Sequence, residues 1–322
     1  MHPLLIETKN SLLAGHRLSR AEALELSETP DFEGLLRLGD NIRRHFMGDD
    51  FHLCSIINAR SGNCSEDCRF CAQSARHPTG VPTYPLIDCD DALEQAADAD
   101  RHRVHRLSLV TSGLKVDDKA LNGLAELYEA ISSTTRLELC ASMGLLDPDK
   151  FERLKKLGVS RYHCNVETSR NFFPSICTSH SYEAKVATLQ AAKVAGLSLC
   201  SGGIIGMGET MADRIDMALE LREVGVRSIP INILTPIAGT PFQDFPVLAT
   251  DEVLTAIALF RIINPTAVIR LAGGRQQLGR AQYRCFTVGA NGAIVGNYLT
   301  TFGNSVRQDL LKLSDLGYTF TR

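Results

Sequence analysis

The 322-residue chain is 44% hydrophobic and 22% charged, the balance of a soluble globular enzyme built as one large domain or two small ones. A formal charge of -3 gives no polyelectrolyte signature, so nucleic acid is not an expected partner, and no apolar run nears the roughly 20 residues that cross a bilayer. Ten cysteines behind an N-terminus without a secretory pattern point to the reducing cytoplasm and to metal or redox chemistry.

Residues 1–50 read as a helical extension. Ser19 and Glu22 have the spacing of a capping box, and an amphipathic stretch follows from about Phe32 to Met47. From Phe51 onward short apolar runs alternate with helical patterns. The expected strands are His52–Asn58, Val104–Thr111, Arg136–Ser142, Arg161–Glu167, Leu197–Gly202, Arg227–Leu234, Ala267–Leu271 and Gly292–Gly296. Helix-like segments lie between them at about 88–99, 117–132, 148–157, 182–195, 211–224, 250–262 and 275–287. This alternation predicts an α/β fold, a (β/α)8 TIM-type barrel over 51–303, with a C-terminal segment at 304–322. A doubly wound sheet is the alternative.

Just after the first strand stand Cys64, Cys68 and Cys71, in Ser-Gly-Asn-Cys-Ser-Glu-Asp-Cys-Arg-Phe-Cys. This spacing can hold three corners of a cubane iron–sulfur cluster and leave the fourth iron open to a small molecule. A structural zinc site would want a fourth ligand at short spacing, and His77 is the nearest candidate. Farther along, Cys140, Cys164, Asn165, Glu167, Cys200, Asn232 and Arg270 fall late in their strands or just after them. In a barrel those ends converge on the face that carries active sites.

With Phe70 before its last cysteine, the triplet resembles that of the radical S-adenosylmethionine (SAM) enzymes, whose open iron chelates SAM. From Ile56 to Thr301 the chain is similar to the biotin synthases. The matching stretches are the cluster loop, Tyr162–Ser169, Cys200–Thr210, Ile229–Asn232, Gly239-Thr-Pro and Val268–Arg275. The resemblance implies sulfur insertion into dethiobiotin, a four-iron cluster binding SAM, an auxiliary iron–sulfur cluster, and a low-potential reductant such as flavodoxin or ferredoxin. A homodimer is a candidate assembly. Other radical SAM enzymes, of the mutase or hydrogenase-cofactor maturase type, are the alternative, and a non-enzymatic metal-binding protein is a more distant one.

The same resemblance assigns Gly202, Ile204, Gly206, Asn165, Glu167 and Lys185 to SAM, Asn165 also to substrate, and Asn232 to the ureido ring. Glu167 stands where an aspartate is usual. The auxiliary cluster usually takes three cysteines and one arginine, and Cys140, Cys200 and Arg270 match three of those positions. The fourth falls at Ser108, whereas Cys164 stands where a histidine is usual. The favoured expectation is a four-iron cluster on Cys140, Cys164 and Cys200, with Arg270 as ligand or donor and Arg106 nearby; a two-iron cluster is the alternative. Strict alternation along the strand sets Cys164 against Asn165 and Glu167, so both faces serve only if the strand ends or bulges there. Cys54 and Cys285 read as small core residues, and Cys89 and Cys177 carry no assigned role.

Overall fold

Each of the expected strands forms in the computed structural model, which describes residues 2–321. They are β1 (His52–Arg60), β2 (Arg106–Thr111), β3 (Glu138–Ser142), β4 (Val159–His163), β5 (Ser198–Cys200), β6 (Gly203–Ile205), β7 (Ser228–Ile233), β8 (Val268–Leu271) and β9 (Gly292–Ile294). All neighbours pair in parallel, and β5 meets β7 where Cys200 faces Ser228, which closes the ring. β5 and β6 are halves of one stave, so the barrel has eight staves with helices outside.

The outer helices are α4 (Cys89–Arg101), α5 (Asp118–Thr134), α6 (Pro148–Lys156), α7 (Tyr182–Val194), α8 (Met211–Val224) and α9 (Thr250–Ile263), with α1 (Pro3–Leu13), α2 (Arg20–Ser27) and α3 (Phe32–Met47) preceding the barrel. Their burial follows helical spacing: α5 turns Leu121, Leu124, Tyr128 and Ile131 inward. The stretch expected as a helix at 275–287 is instead a pair of 3-10 turns, because Gly279 at φ 53° and ψ -129° breaks the helical path. The N-terminal helices share the barrel's core. Ser19 and Glu22 do form the capping box that starts α2, and a Cβ at Gly39 of α3 would come 2.1 Å from the Val288 carbonyl.

Two irregularities shape the interior. β4 ends at His163, and the chain then takes a bend in which Glu167 adopts φ 71°, a left-handed conformation that is strained for a non-glycine residue. The bend is laced to the neighbouring stave by Cys164 N–H to the Cys200 carbonyl, Glu167 N–H to the Gly202 carbonyl and Ile204 N–H to the Glu167 carbonyl. Beside it, the fifth stave breaks at Ser201–Gly202. A Cβ on Gly202 would lie 1.9 Å from the Pro230 carbonyl oxygen, so no side chain fits. Gly202→Ala is expected to cost about 1–3 kcal/mol by overpacking; urea unfolding checks it, and an unchanged midpoint would contradict the packing argument.

The C-terminal α10 (Val306–Asp315) docks through a buried ion pair between Asp309 and Arg275. Asp309 also accepts from Tyr283 Oη at 3.0 Å and Asn304 Nδ2 at 3.1 Å. Arg275 Nε donates to Tyr298 Oη at 3.0 Å, which fixes the segment between β9 and α10 over the barrel mouth.

Candidate active site

A cavity of about 430 Å3 runs down the barrel. Its upper wall is the loop after β1. There Cys64 N–H donates to the Gln73 carbonyl and Cys71 N–H to the Cys68 carbonyl, so backbone bonds hold the cysteine loop in shape. Cys64, Cys68, Phe70 and Cys71 all line the cavity. Burial pushes the Cys71 thiol up to about 11, and Cys64 and Glu167 add to the rise. Cys71 therefore lies within electrostatic reach of both.

Glu167 and Lys185 stand beside this loop. Glu167 Oε1 is 3.9 Å from Lys185 Nζ, and Glu167 Oε2 is buried without a partner. Lys185 is buried. Burial lowers its pKa, yet Cys164 and Glu167 together hold it above its ordinary value. Ile204 and Asn165 also line the cavity, and Asn165 Oδ1 accepts from Gly202 N–H at 3.0 Å.

Gly202 and Gly206 depart from expectation, since neither lines the cavity. Gly202 is the packing point against Pro230, and Gly206 (φ 100°) donates its N–H to Glu209 Oε1 at 2.8 Å. Glu209 receives Met207 N–H as well and pairs with buried Arg214. These residues set the turn that presents Ile204.

Asn232 lines the cavity with its polar atoms already engaged. Oδ1 accepts from Gly273 N–H at 2.9 Å and Nδ2 donates to the Gly203 carbonyl at 3.1 Å. The backbone, and not only a ureido ring, thus satisfies it. A second lone pair and a second amide hydrogen remain for a ligand.

Lower in the barrel the alternate strands β1, β3 and β5 carry a second group of thiols. Cys140 is pushed up to about 12 by burial and then by Cys54, against the pull of Arg106 and Arg161; Cys200 also acts on it. Burial raises the Cys200 thiol too, but His163, Arg161 and Arg270 outweigh it and bring it down to about 6. His163 Nδ1 lies 3.3 Å from Cys200 Sγ, and Arg106 Nη1 lies 4.0 Å from Cys140 Sγ. Arg270 is buried and donates to the His52 carbonyl at 3.0 Å and to Ser228 Oγ at 3.4 Å. Ser108 faces Cys140 in register, and its buried Oγ has no partner.

Cys164 is not part of this group. It reaches the cavity wall beside Lys185 and Glu167, the charges that act on it, while the in-facing place on β4 belongs to His163. The third thiol is Cys54 on β1, which is half-buried, lines the cavity and is not the closed core residue expected. Cys285 does lie in the core, fully buried. Cys54 and His163 were both accessible to a register argument: Cys54 alternates with Ile56 along β1, and His163 with Arg161 along β4.

Iron–sulfur clusters want soft thiolate donors. Two sets of cysteines on one cavity, with Glu167 Oε2, Ser108 Oγ and Thr111 Oγ1 buried and unpartnered along its wall, fit two clusters and a polar ligand between them.

A parallel barrel whose β1 loop carries this cysteine triplet defines a radical SAM enzyme, and residues 59–221 match the radical SAM superfamily. Residues 230–319 match the biotin and thiamin synthesis associated domain. The chain is 48% identical to a biotin synthase of Desulfotalea psychrophila over 97% of its length and 94% of that protein's, and 49% identical to one of Heliobacterium modesticaldum over 98% of each. It belongs to the biotin synthase family. Membership brings a SAM-binding 4Fe–4S cluster and an auxiliary iron–sulfur cluster. In fold alone the chain also resembles methylornithine synthase (TM-score 0.84, 19% identity, 98% of this chain and 97% of that one). It likewise resembles the FeFe-hydrogenase maturase of Carboxydothermus hydrogenoformans (TM-score 0.82, 18% identity, 98% and 78%). Among the described residues no helix is long and apolar enough to cross a membrane.

Proposed function

We propose that this chain converts dethiobiotin to biotin by radical sulfur insertion, with Cys64, Cys68 and Cys71 holding the SAM-binding cluster and Cys54, Cys140 and Cys200 holding the auxiliary one. The observation that carries this reading is the placement of the two cysteine sets at different depths of one cavity. Cys54, Cys140 and Cys200 are each the third residue of their strand, whereas the first set follows the far end of β1. When bound, the first cluster and SAM supply a hydrogen-abstracting radical, and the auxiliary cluster supplies sulfur.

The chain's own residues bind and orient. Glu167 and Lys185 offer an anion and a cation to the two charged ends of the SAM amino acid, and Ile204 offers an apolar surface. Ile56, Val110, Pro230 and Ile294 line an apolar middle that suits an alkyl chain, with Asn232 and Thr111 as polar contacts. Arg106, Arg161 and Arg270 offset the negative charge of thiolates and sulfide around the lower set. Three thiolates, with Arg270 engaged by the His52 carbonyl and Ser228 Oγ, suit a four-iron auxiliary cluster better than a two-iron one. A low-potential reductant such as flavodoxin or ferredoxin, a reducing cytoplasmic setting for the ten unpaired cysteines, and a homodimer complete the reading.

The test is a single-turnover assay with dethiobiotin, SAM and a low-potential reductant. Biotin is expected together with 5′-deoxyadenosine. Deoxyadenosine without biotin would overturn the assignment and leave a different radical SAM reaction on this scaffold.

A further inference from the structure

Beside the cluster loop, Cys177 and His180 are given no role in the reaction just described, although His180 lines the same cavity, and they complete a second ligand geometry with Cys68. They lie between the 3-10 turn Phe173–Ser175 and the start of α7. Cys177 Sγ is 3.7 Å from Cys68 Sγ, 3.4 Å from His180 Nδ1 and 3.8 Å from Nε2, and the three residues' ligand atoms all lie within 4.8 Å of one another. A tetrahedral ion with bonds of about 2.3 Å to sulfur and about 2.0 Å to nitrogen has sulfur–sulfur edges of about 3.8 Å and sulfur–nitrogen edges of about 3.5 Å. Two of the three edges thus already stand near single-ion distances, and the third lies within 4.8 Å.

The surroundings are built for the same purpose. His180 Nδ1 lies 2.6 Å from Glu66 Oε2, the carboxylate–histidine pairing that fixes a metal-binding imidazole and leaves Nε2 for the ion. Asp67 Oδ1 receives Thr178 N–H at 2.9 Å and Ser179 N–H at 3.0 Å, which pins the turn that carries both ligands. Cys177 and Glu66 are buried.

We propose that the cluster-free chain binds one divalent cation of the zinc or ferrous type through Cys68, Cys177 and His180, with Glu66 orienting the imidazole and a water in the fourth position. Binding releases the protons of the two thiols to solvent. The site competes with the SAM-binding cluster for Cys68, so building the cluster withdraws one ligand from the ion. That competition rests on Cys68 being a cluster ligand; the ion site does not.

Cobalt(II) titration of the full-length, cluster-free chain tests this through thiolate-to-cobalt absorbance. Wild type is expected to bind about one equivalent more than Cys177→Ala or His180→Asn, each read separately and each checked for native circular dichroism. Cys64→Ala, which cannot complete the cluster triplet, is expected to keep that equivalent. Equal binding by wild type and both variants would overturn the site, and so would its loss in Cys64→Ala, which would assign the signal to the triplet. In the cluster-loaded chain the difference between wild type and Cys177→Ala is expected to vanish; its persistence would overturn the competition alone. None of these readouts requires biotin formation, so a failed sulfur-insertion assay leaves the ion site standing.

Discussion

Cys54→Ala is expected to remove the auxiliary cluster and spare the SAM-binding one. Iron falls from about eight to about four per chain, with acid-labile sulfide falling in step. SAM cleavage continues, biotin formation is lost, and the Mössbauer signal of the first cluster is unchanged. Cys164→Ala is expected to keep both clusters, because on β4 it is His163, and not Cys164, that reaches Cys200. The paired result separates the two arrangements. Loss of the auxiliary signal in Cys164→Ala with retention in Cys54→Ala would restore the ligand set expected from the sequence. About six irons in wild type, insensitive to either change, would indicate a two-iron cluster held elsewhere.

Asp309→Ala is expected to destabilise the fold by about 3–5 kcal/mol, the cost of leaving a buried guanidinium without its partner. Arg275 and Asp309 are both almost fully buried, and the carboxylate also takes Tyr283 and Asn304. Urea unfolding measures the loss. Replacing both members with apolar residues is expected to recover most of it, since the isolated charge is the larger part of the penalty. A single variant as stable as wild type would show that the pair contributes little. Because Arg275 also holds Tyr298, the single variant is further expected to raise the KM for dethiobiotin.

The barrel was legible because parallel strands buried on both faces read as short apolar runs between helical repeats. The site was legible where motif and loop coincide, at Cys64, Cys68 and Cys71. It failed where a side chain's direction depends on where a strand stops. The sequence reading carried the fourth strand through Glu167, whereas it ends at His163; Arg161 and His163 take the in-facing places, and Cys164 falls on the other parity and meets the cavity only beyond the strand. A one-residue difference in parity exchanges the faces. Cys54 lies near the start of β1, away from the strand ends where a barrel's chemistry converges. Gly202 and Gly206 look like ligand-approach glycines in sequence, yet the close approach at Gly202 is to Pro230.

The charges along the cavity are unevenly sorted. Arg106, Arg161 and Arg270 gather around Cys140 and Cys200, while Glu66 and Glu167 stand among the upper cysteines with Lys185 between. Arg106 is paired with Glu138, so Arg161 and Arg270 carry the positive charge at the strand starts, with the carboxylates toward the loop. A sulfonium cation lowers its energy by moving up the barrel axis and an anionic sulfide by moving down it. The two reactants are drawn to opposite poles before any specific contact forms, and the neutral part of a substrate is left the middle.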